Sequence, residues 1–200
     1  MSLLVKICGM TDEQAVNAAA RAGADAVGFV FAESPRRITP RQARSISMGL
    51  SPGVLRVAVM LHPENDAWRE VLDVFQPDVL QTDAADFDYL DVPAHIRRWP
   101  VIREGDTVGT MPSQFVYEGR NSGKGETIDW DVAARLARRG AMILAGGLDA
   151  RNVGSALARV RPFGVDVSSA VESAPGRKDP QKIREFINAV RTAQSGMSES

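Results

Sequence analysis

Several side chains in this 200-residue sequence are spaced for chemistry. Cys8 closes an apolar run, LLVKIC, over residues 3–8. In an extended run alternate side chains share a face, so an inward Cys8 brings Lys6 with it and sends Val5 and Ile7 to the other side. In GVDVSS, over 164–169, Val165 and Val167 alternate with Asp166 and Ser168 in the same way. A buried lysine is tolerable only when paired, and Asp166 is a fitting partner for Lys6. A cation beside Cys8 favours the thiolate; the competing reading of Cys8 is a small apolar filler. Gly146 and Gly147 end one apolar run, and Ser168 and Ser169 end another. Backbone N–H groups in such turns bind phosphate, although a plain turn and a helix cap explain the same residues. Arg36 and Arg37 lie in a proline-bounded loop, where a guanidinium fork holds a carboxylate or simply faces solvent. Asp129 stands immediately before WDVAARLARR, the position of an N-cap. Asp83, Asp86, Asp88 and Asp91 read as a solvated acidic stretch.

These residues need elements to hold them, and the pattern supplies eight β-rich runs. Those at 3–8, 25–31, 54–60, 78–82, 99–104, 114–118, 141–147 and 164–169 read as strands, mostly with an amphipathic stretch after each. Helices are expected between an N-cap at Thr11 and a stop at Gly23, from near Pro40, over 64–75, from about 130 to 139, over 149–159 and over 179–193. The stretch after the fourth strand is weak and broken, and EGDTVGTMPS, over 104–113, is too short and too glycine-rich for a helix. Alternation of this kind means parallel strands joined by right-handed crossovers. Eight units of about 25 residues suffice for a (β/α)₈ barrel at its lower size limit. The expected fold is therefore α/β, a single compact TIM barrel over 1–194 with the fifth helix short or missing, and a polar, frayed tail over 195–200. An open doubly wound sheet is disfavoured, because no G-x-G-x-x-G follows the first strand. In a barrel, active groups collect at the C-terminal ends of the strands. Cys8, Arg36, Asp129, Gly146, Gly147, Ser168 and Ser169 all fall there.

Composition narrows the classes. With 24 basic and 25 acidic side chains the net charge is −1, which argues against a broad nucleic-acid or membrane footprint; an acidic ligand would need a local cationic pocket. One cysteine and two scattered histidines, His62 and His95, exclude a disulfide framework and a Cys/His zinc cluster. No apolar run approaches the ~18 residues of a membrane span. The start, MSLLVKICGM, has neither a basic flank nor an A-x-A cleavage signal, so a cytoplasmic location is expected.

Five segments, KICGMT (6–11), GADAVGFVFAESPRRIT (23–39), ETIDW (126–130), ILAGGL (143–148) and VDVSSAVESAPGRKDPQKI (165–183), together resemble the phosphoribosylanthranilate isomerase family of tryptophan biosynthesis. The resemblance implies an Amadori rearrangement of N-(5-phosphoribosyl)anthranilate to 1-(2-carboxyphenylamino)-1-deoxyribulose 5-phosphate. It implies no cofactor and no metal, a small phosphosugar–anthranilate molecule as the partner, and a monomer or homodimer. It also implies Cys8 as general base, Asp129 as general acid, Arg36 on the anthranilate carboxylate, Asp166 near the sugar, and Gly146, Gly147, Ser168 and Ser169 around the phosphate. There are departures: Gln81-Thr82-Asp83-Ala84 stands where the family usually has Gln-Leu-His-Gly, Glu126 where it has Lys, and Ala170 where it has Gly. Asp83 and Asp86 after the fourth strand would repel a second phosphate. That weighs against the histidine-pathway aminoaldose–ketose isomerase, whose substrate carries two. A non-catalytic phosphate binder is the other alternative.

Overall fold

Eight short runs bury side chains on both of their faces over most of their length, as the strands of an all-parallel sheet must. The computed structural model describes residues 3–120 and 128–198. The strands are β1 (Leu4–Cys8), β2 (Ala26–Val30), β3 (Leu55–Val59), β4 (Val79–Asp83), β5 (Arg97–Arg103), β6 (Gln114–Glu118), β7 (Ala141–Leu144) and β8 (Gly164–Val167). Each pairs in parallel with the next and β8 pairs with β1, so the sheet closes into a barrel.

Around it lie α1 (Glu13–Ala22), α2 (Pro40–Ser47), α3 (Asn65–Glu70), α4 (Trp130–Ala137), α5 (Val153–Val160) and α6 (Pro180–Ser198). A 3₁₀ turn, Ala84–Asp88, stands in place of a helix after β4, and none follows β5. Gly105, with φ +97°, and Pro112 break the stretch between β5 and β6, as the sequence predicts. Three details differ from expectation. The N-cap of α1 is Asp12, whose carboxylate accepts from the Ala15 N–H, whereas the Thr11 hydroxyl donates to the Gly176 carbonyl at 2.7 Å. The helix expected over 64–75 is α only to Glu70 and then widens into a π turn, Val71–Phe75. The last helix runs through Ser198, taking in the first part of the tail expected to fray. In addition, β8 does not lead directly to α6. A short 3₁₀ turn (Ser169–Val171) and an antiparallel hairpin of β9 (Glu172–Ala174) and β10 (Arg177–Lys178) intervene.

Strand parity divides the core in two. Outward-facing Val5, Ile7, Val27, Phe29, Leu80, Phe115 and Val165 pack with Trp68, Phe75, Ala156, Ile183 and Phe186 of the surrounding helical layer. A second cluster fills the barrel itself: Ala26, Val57, Val79, Trp99, Val101, Val116, Ile143 and Ala145. Below the C-terminal ends of the strands this interior is apolar along β2 to β7 and charged where β8 meets β1. Among the described residues no helix is long and apolar enough to cross a membrane.

Candidate active site

In the β1–β8 register Lys6 sits directly opposite Asp166, and Lys6 Nζ meets Asp166 Oδ2 at 2.6 Å. Both are buried, the inward pairing expected from the alternation. Burial is the largest single influence on the Lys6 ammonium and lowers it, but Asp166 and Cys8 together outweigh it and hold Lys6 above its ordinary range. Asp166 Oδ1 is buried and meets no protein donor. One residue layer above, Cys8 ends β1, 8% exposed. Gly28 on the neighbouring strand makes room for it: a Cβ there would lie 2.9 Å from Cys8 Sγ and 3.1 Å from Lys6 Cε. Lys6 does draw the Cys8 thiol toward ionisation, but burial is the larger effect and pushes it above its ordinary range. The thiolate expected from the nearby cation is thus not the resting form at neutral pH. The Asp166 carboxylate offsets part of the lysine's pull.

Arg36 reaches into the same region from the β2–α2 loop. Its Nε and Nη2 pair with Glu172 Oε1 and Oε2 at 2.7 and 2.9 Å. The side-on edge of the guanidinium is therefore occupied, and an end-on fork of Nη1 with Nη2 is what remains for a ligand. Arg37 is exposed and pairs with Glu33, an ordinary solvated turn. After β7, Gly146 and Gly147 adopt φ of +91° and +64°, the left-handed backbone that suits glycine. After β8, the Ser168 hydroxyl donates to the Cys8 carbonyl at 3.1 Å. Lys178 Nζ donates to the Ser168 carbonyl at 2.9 Å, to its hydroxyl at 3.2 Å and to Glu172 Oε1 at 2.8 Å.

The opposite wall is one that reading the sequence did not anticipate. Arg103, at the end of β5, pairs with Asp83 of β4 and, at 3.1 Å, with Glu118 of β6. Asp83 also lies 3.4 Å from His62 Nε2. Asp86, expected in a solvated stretch, is buried: it accepts from the Thr82 hydroxyl and the His62 N–H, and its Oδ1 meets His62 Nδ1 at 2.9 Å. The partners come from two loops, so the acidic run alone could not reveal this burial.

A cavity of about 280 Å³ opens at the C-terminal ends of the strands. It brings together Cys8, Arg36, Gly146, Gly147, Asp166, Ser168 and Ser169, with Arg103 and Glu118 on the far wall. Asp129 does not line it. Asp129 is exposed at the N-terminus of α4, where Oδ1 accepts from the Asp131 and Val132 N–H groups at 2.8 and 3.2 Å. The N-cap reading of Asp129 is therefore correct as far as it goes, and Oδ2 takes no part in the cap. Glu126 lies outside the described residues. Among them, no group of three or more His, Cys, Asp or Glu side chains is placed to hold a metal ion. Glu172 and Lys178 escaped the sequence reading too; an acid and a base flanking Pro175-Gly176 was the available signal.

The profile of the N-(5'-phosphoribosyl)anthranilate (PRA) isomerase family matches residues 5–189. An N-(5'-phosphoribosyl)anthranilate isomerase of Pelobacter propionicus is 37% identical, over 96% of this chain and 97% of its own. One from Pseudomonas putida is 42% identical, over 94% and 97%. Among solved structures, a phosphoribosyl anthranilate isomerase in complex with reduced 1-(o-carboxyphenylamino)-1-deoxyribulose 5-phosphate superposes with a TM-score of 0.80 at 32% identity, covering 96% of this chain and all of that one. The Thermus thermophilus enzyme gives 0.83 at 28%, covering 95% and 99%.

Proposed function

Because this chain belongs to the N-(5'-phosphoribosyl)anthranilate isomerase family, and so carries out that family's isomerisation in tryptophan biosynthesis, we propose which of its residues do the work. Asp129 is the general acid, through the carboxyl oxygen that the cap leaves free. It protonates the ribose ring oxygen, and the furanose opens to a Schiff base. Cys8 is the general base. Its thiolate removes the proton from C2′, and the resulting enolamine ketonises to the carboxyphenylamino-deoxyribulose phosphate. Acid and base must start in opposite protonation states. In the closed barrel β6 and β1 are separated by β7 and β8, which supports an acid and a base that approach a bound substrate from different sides.

Arg36 holds the anthranilate carboxylate end-on, and Gly146, Gly147, Ser168 and Ser169 hold the phosphate. Asp166 Oδ1, a buried acceptor without a protein donor, takes a sugar hydroxyl; leaving it empty would carry a desolvation cost. The observation that carries the assignment is the single cavity joining Cys8, Arg36, Asp166 and both phosphate loops. The proposed working unit is a monomer or homodimer acting in the cytoplasm; a Thermotoga maritima relative is described as dimeric, and monomers of it have been crystallised.

The two walls differ in charge among the described residues. Arg36, Lys178 and Glu172 leave one positive charge on the β8–β2 side, and the carboxylates Asp83 and Asp86 stand on the β4 side. One phosphate is welcome at the first wall and a second is repelled at the other. The test follows loss of the fluorescence of freshly made phosphoribosylanthranilate. Turnover of that compound, and none of a bisphosphorylated aminoaldose, is expected; comparable kcat/KM on both, or none on either with folded protein, would reject the assignment.

Two further outcomes follow from the same geometry. Arg36→Met should raise KM far more than it lowers kcat, through loss of a charge-assisted contact of ~1.5–3 kcal/mol. A product analogue lacking the aromatic carboxylate should bind both forms alike, and an analogue that distinguishes them would assign the carboxylate elsewhere. Burial raises the Cys8 thiol, so alkylation of Cys8, the one cysteine of the chain, by iodoacetamide in the free protein should speed up as pH rises from about 7 to about 9 and more thiolate forms. An alkylation rate that stays constant over that range would mean that Cys8 is already a thiolate at neutral pH.

A further inference from the structure

We infer that Glu172 and Lys178, on the hairpin between β8 and α6, are positioning residues that lock Arg36 to Ser168, so that the carboxylate and phosphate ends of the cavity are set as one unit. Neither residue lines the cavity, so both act through others. Glu172 Oε1 is shared between Arg36 Nε at 2.7 Å and Lys178 Nζ at 2.8 Å. Lys178 spends its remaining donors on the carbonyl and hydroxyl of Ser168, whose own hydroxyl proton goes to the Cys8 carbonyl. A continuous path of hydrogen bonds thus runs from the β2–α2 loop through the hairpin to the end of β8 and across to β1. The hairpin is seated for this. Gly176 takes φ +78° at its tip, and a Cβ there would collide with the Pro35 carbonyl, next to Arg36.

A hairpin could be fastened as well by an apolar pair, since removing charges from water is unfavourable unless every bond is made. What an apolar pair could not do is fix the plane of a guanidinium and the rotor of a serine hydroxyl. Lys178 and Glu172 are both buried, and the three donors of the ammonium each have an acceptor. The inference rests on the assignment of the two ends given above.

The decisive variant is Glu172→Gln in the full chain, probed with inorganic phosphate as a competitive inhibitor. Removing a negative charge near the phosphate end would by itself tighten phosphate. Loss of positioning acts in the opposite direction. The expected result is an inhibition constant raised at least about threefold, with KM for phosphoribosylanthranilate up about tenfold and kcat changed less than about threefold. An inhibition constant that is unchanged or lowered, in protein of wild-type melting temperature, would overturn the inference. Should Glu172→Gln not fold, Arg36→Lys serves instead. It keeps the charge but loses the side-on fork to Glu172, and it too should weaken phosphate at least about threefold; no weakening would again overturn the inference. Wild-type protein that is neither active nor inhibited by phosphate would reject the two ends themselves, and the link with them.

Discussion

Replacing Cys8 with alanine is expected to lower kcat by about 10²–10⁴, the usual worth of a positioned base, while the protein folds normally. The loss of function follows from the base role proposed for Cys8, which ends β1 one layer above the Lys6–Asp166 pair. The survival of the fold follows from its surroundings. Removing one sulfur beside Gly28 leaves little empty volume, and the Lys6–Asp166 bond beneath is untouched. Circular dichroism and a melting curve would check the fold, and steady-state turnover the chemistry. Cys8→Ala retaining more than about a tenth of wild-type kcat would remove Cys8 from the base role.

Asp129→Asn should be equally damaging, by about 10²–10⁴ in kcat, for a different reason. Asparagine caps a helix as well as aspartate does, so α4 should keep its start and its stability. What the amide cannot do is deliver a proton to the ring oxygen. Asp129→Ala would add a loss of about 1 kcal/mol in stability as the Asp131 and Val132 N–H groups lose their acceptor. Comparing the two variants separates cap from acid. Near-normal turnover in Asp129→Asn would reduce Asp129 to its structural role.

Much of this arrangement is legible in the sequence because it depends on short-range periodicity. The alternation in LLVKIC and GVDVSS suffices to turn Lys6, Cys8 and Asp166 inward, and the glycines of EGDTVGTMPS suffice to deny β5 a helix. The parts that resist reading depend on partners far along the chain. Arg36 lies 136 residues from Glu172, and nothing local distinguishes a fork aimed at a ligand from one already half engaged. Asp86 looks like its exposed neighbours until Thr82 and His62 close over it. The hairpin of β9 and β10 is too short, at three and two residues, for any alternation to show. Thr11 and Asp12 are both competent caps; the choice is made by Gly176, which occupies the Thr11 hydroxyl.

The Lys6–Asp166 bond joins residues 160 positions apart, across the seam where the first strand meets the last. Contacts at that separation require almost the whole chain to be looped together, which makes barrel closure a slow, non-local step of folding. The seam is also where a slip is costly. Sliding β1 against β8 by one residue would set Lys6 beside Val165 or Val167 and leave two buried charges without each other. The same ion pair that floors the cavity therefore rejects misaligned closures, and the growing barrel can seal in only one register.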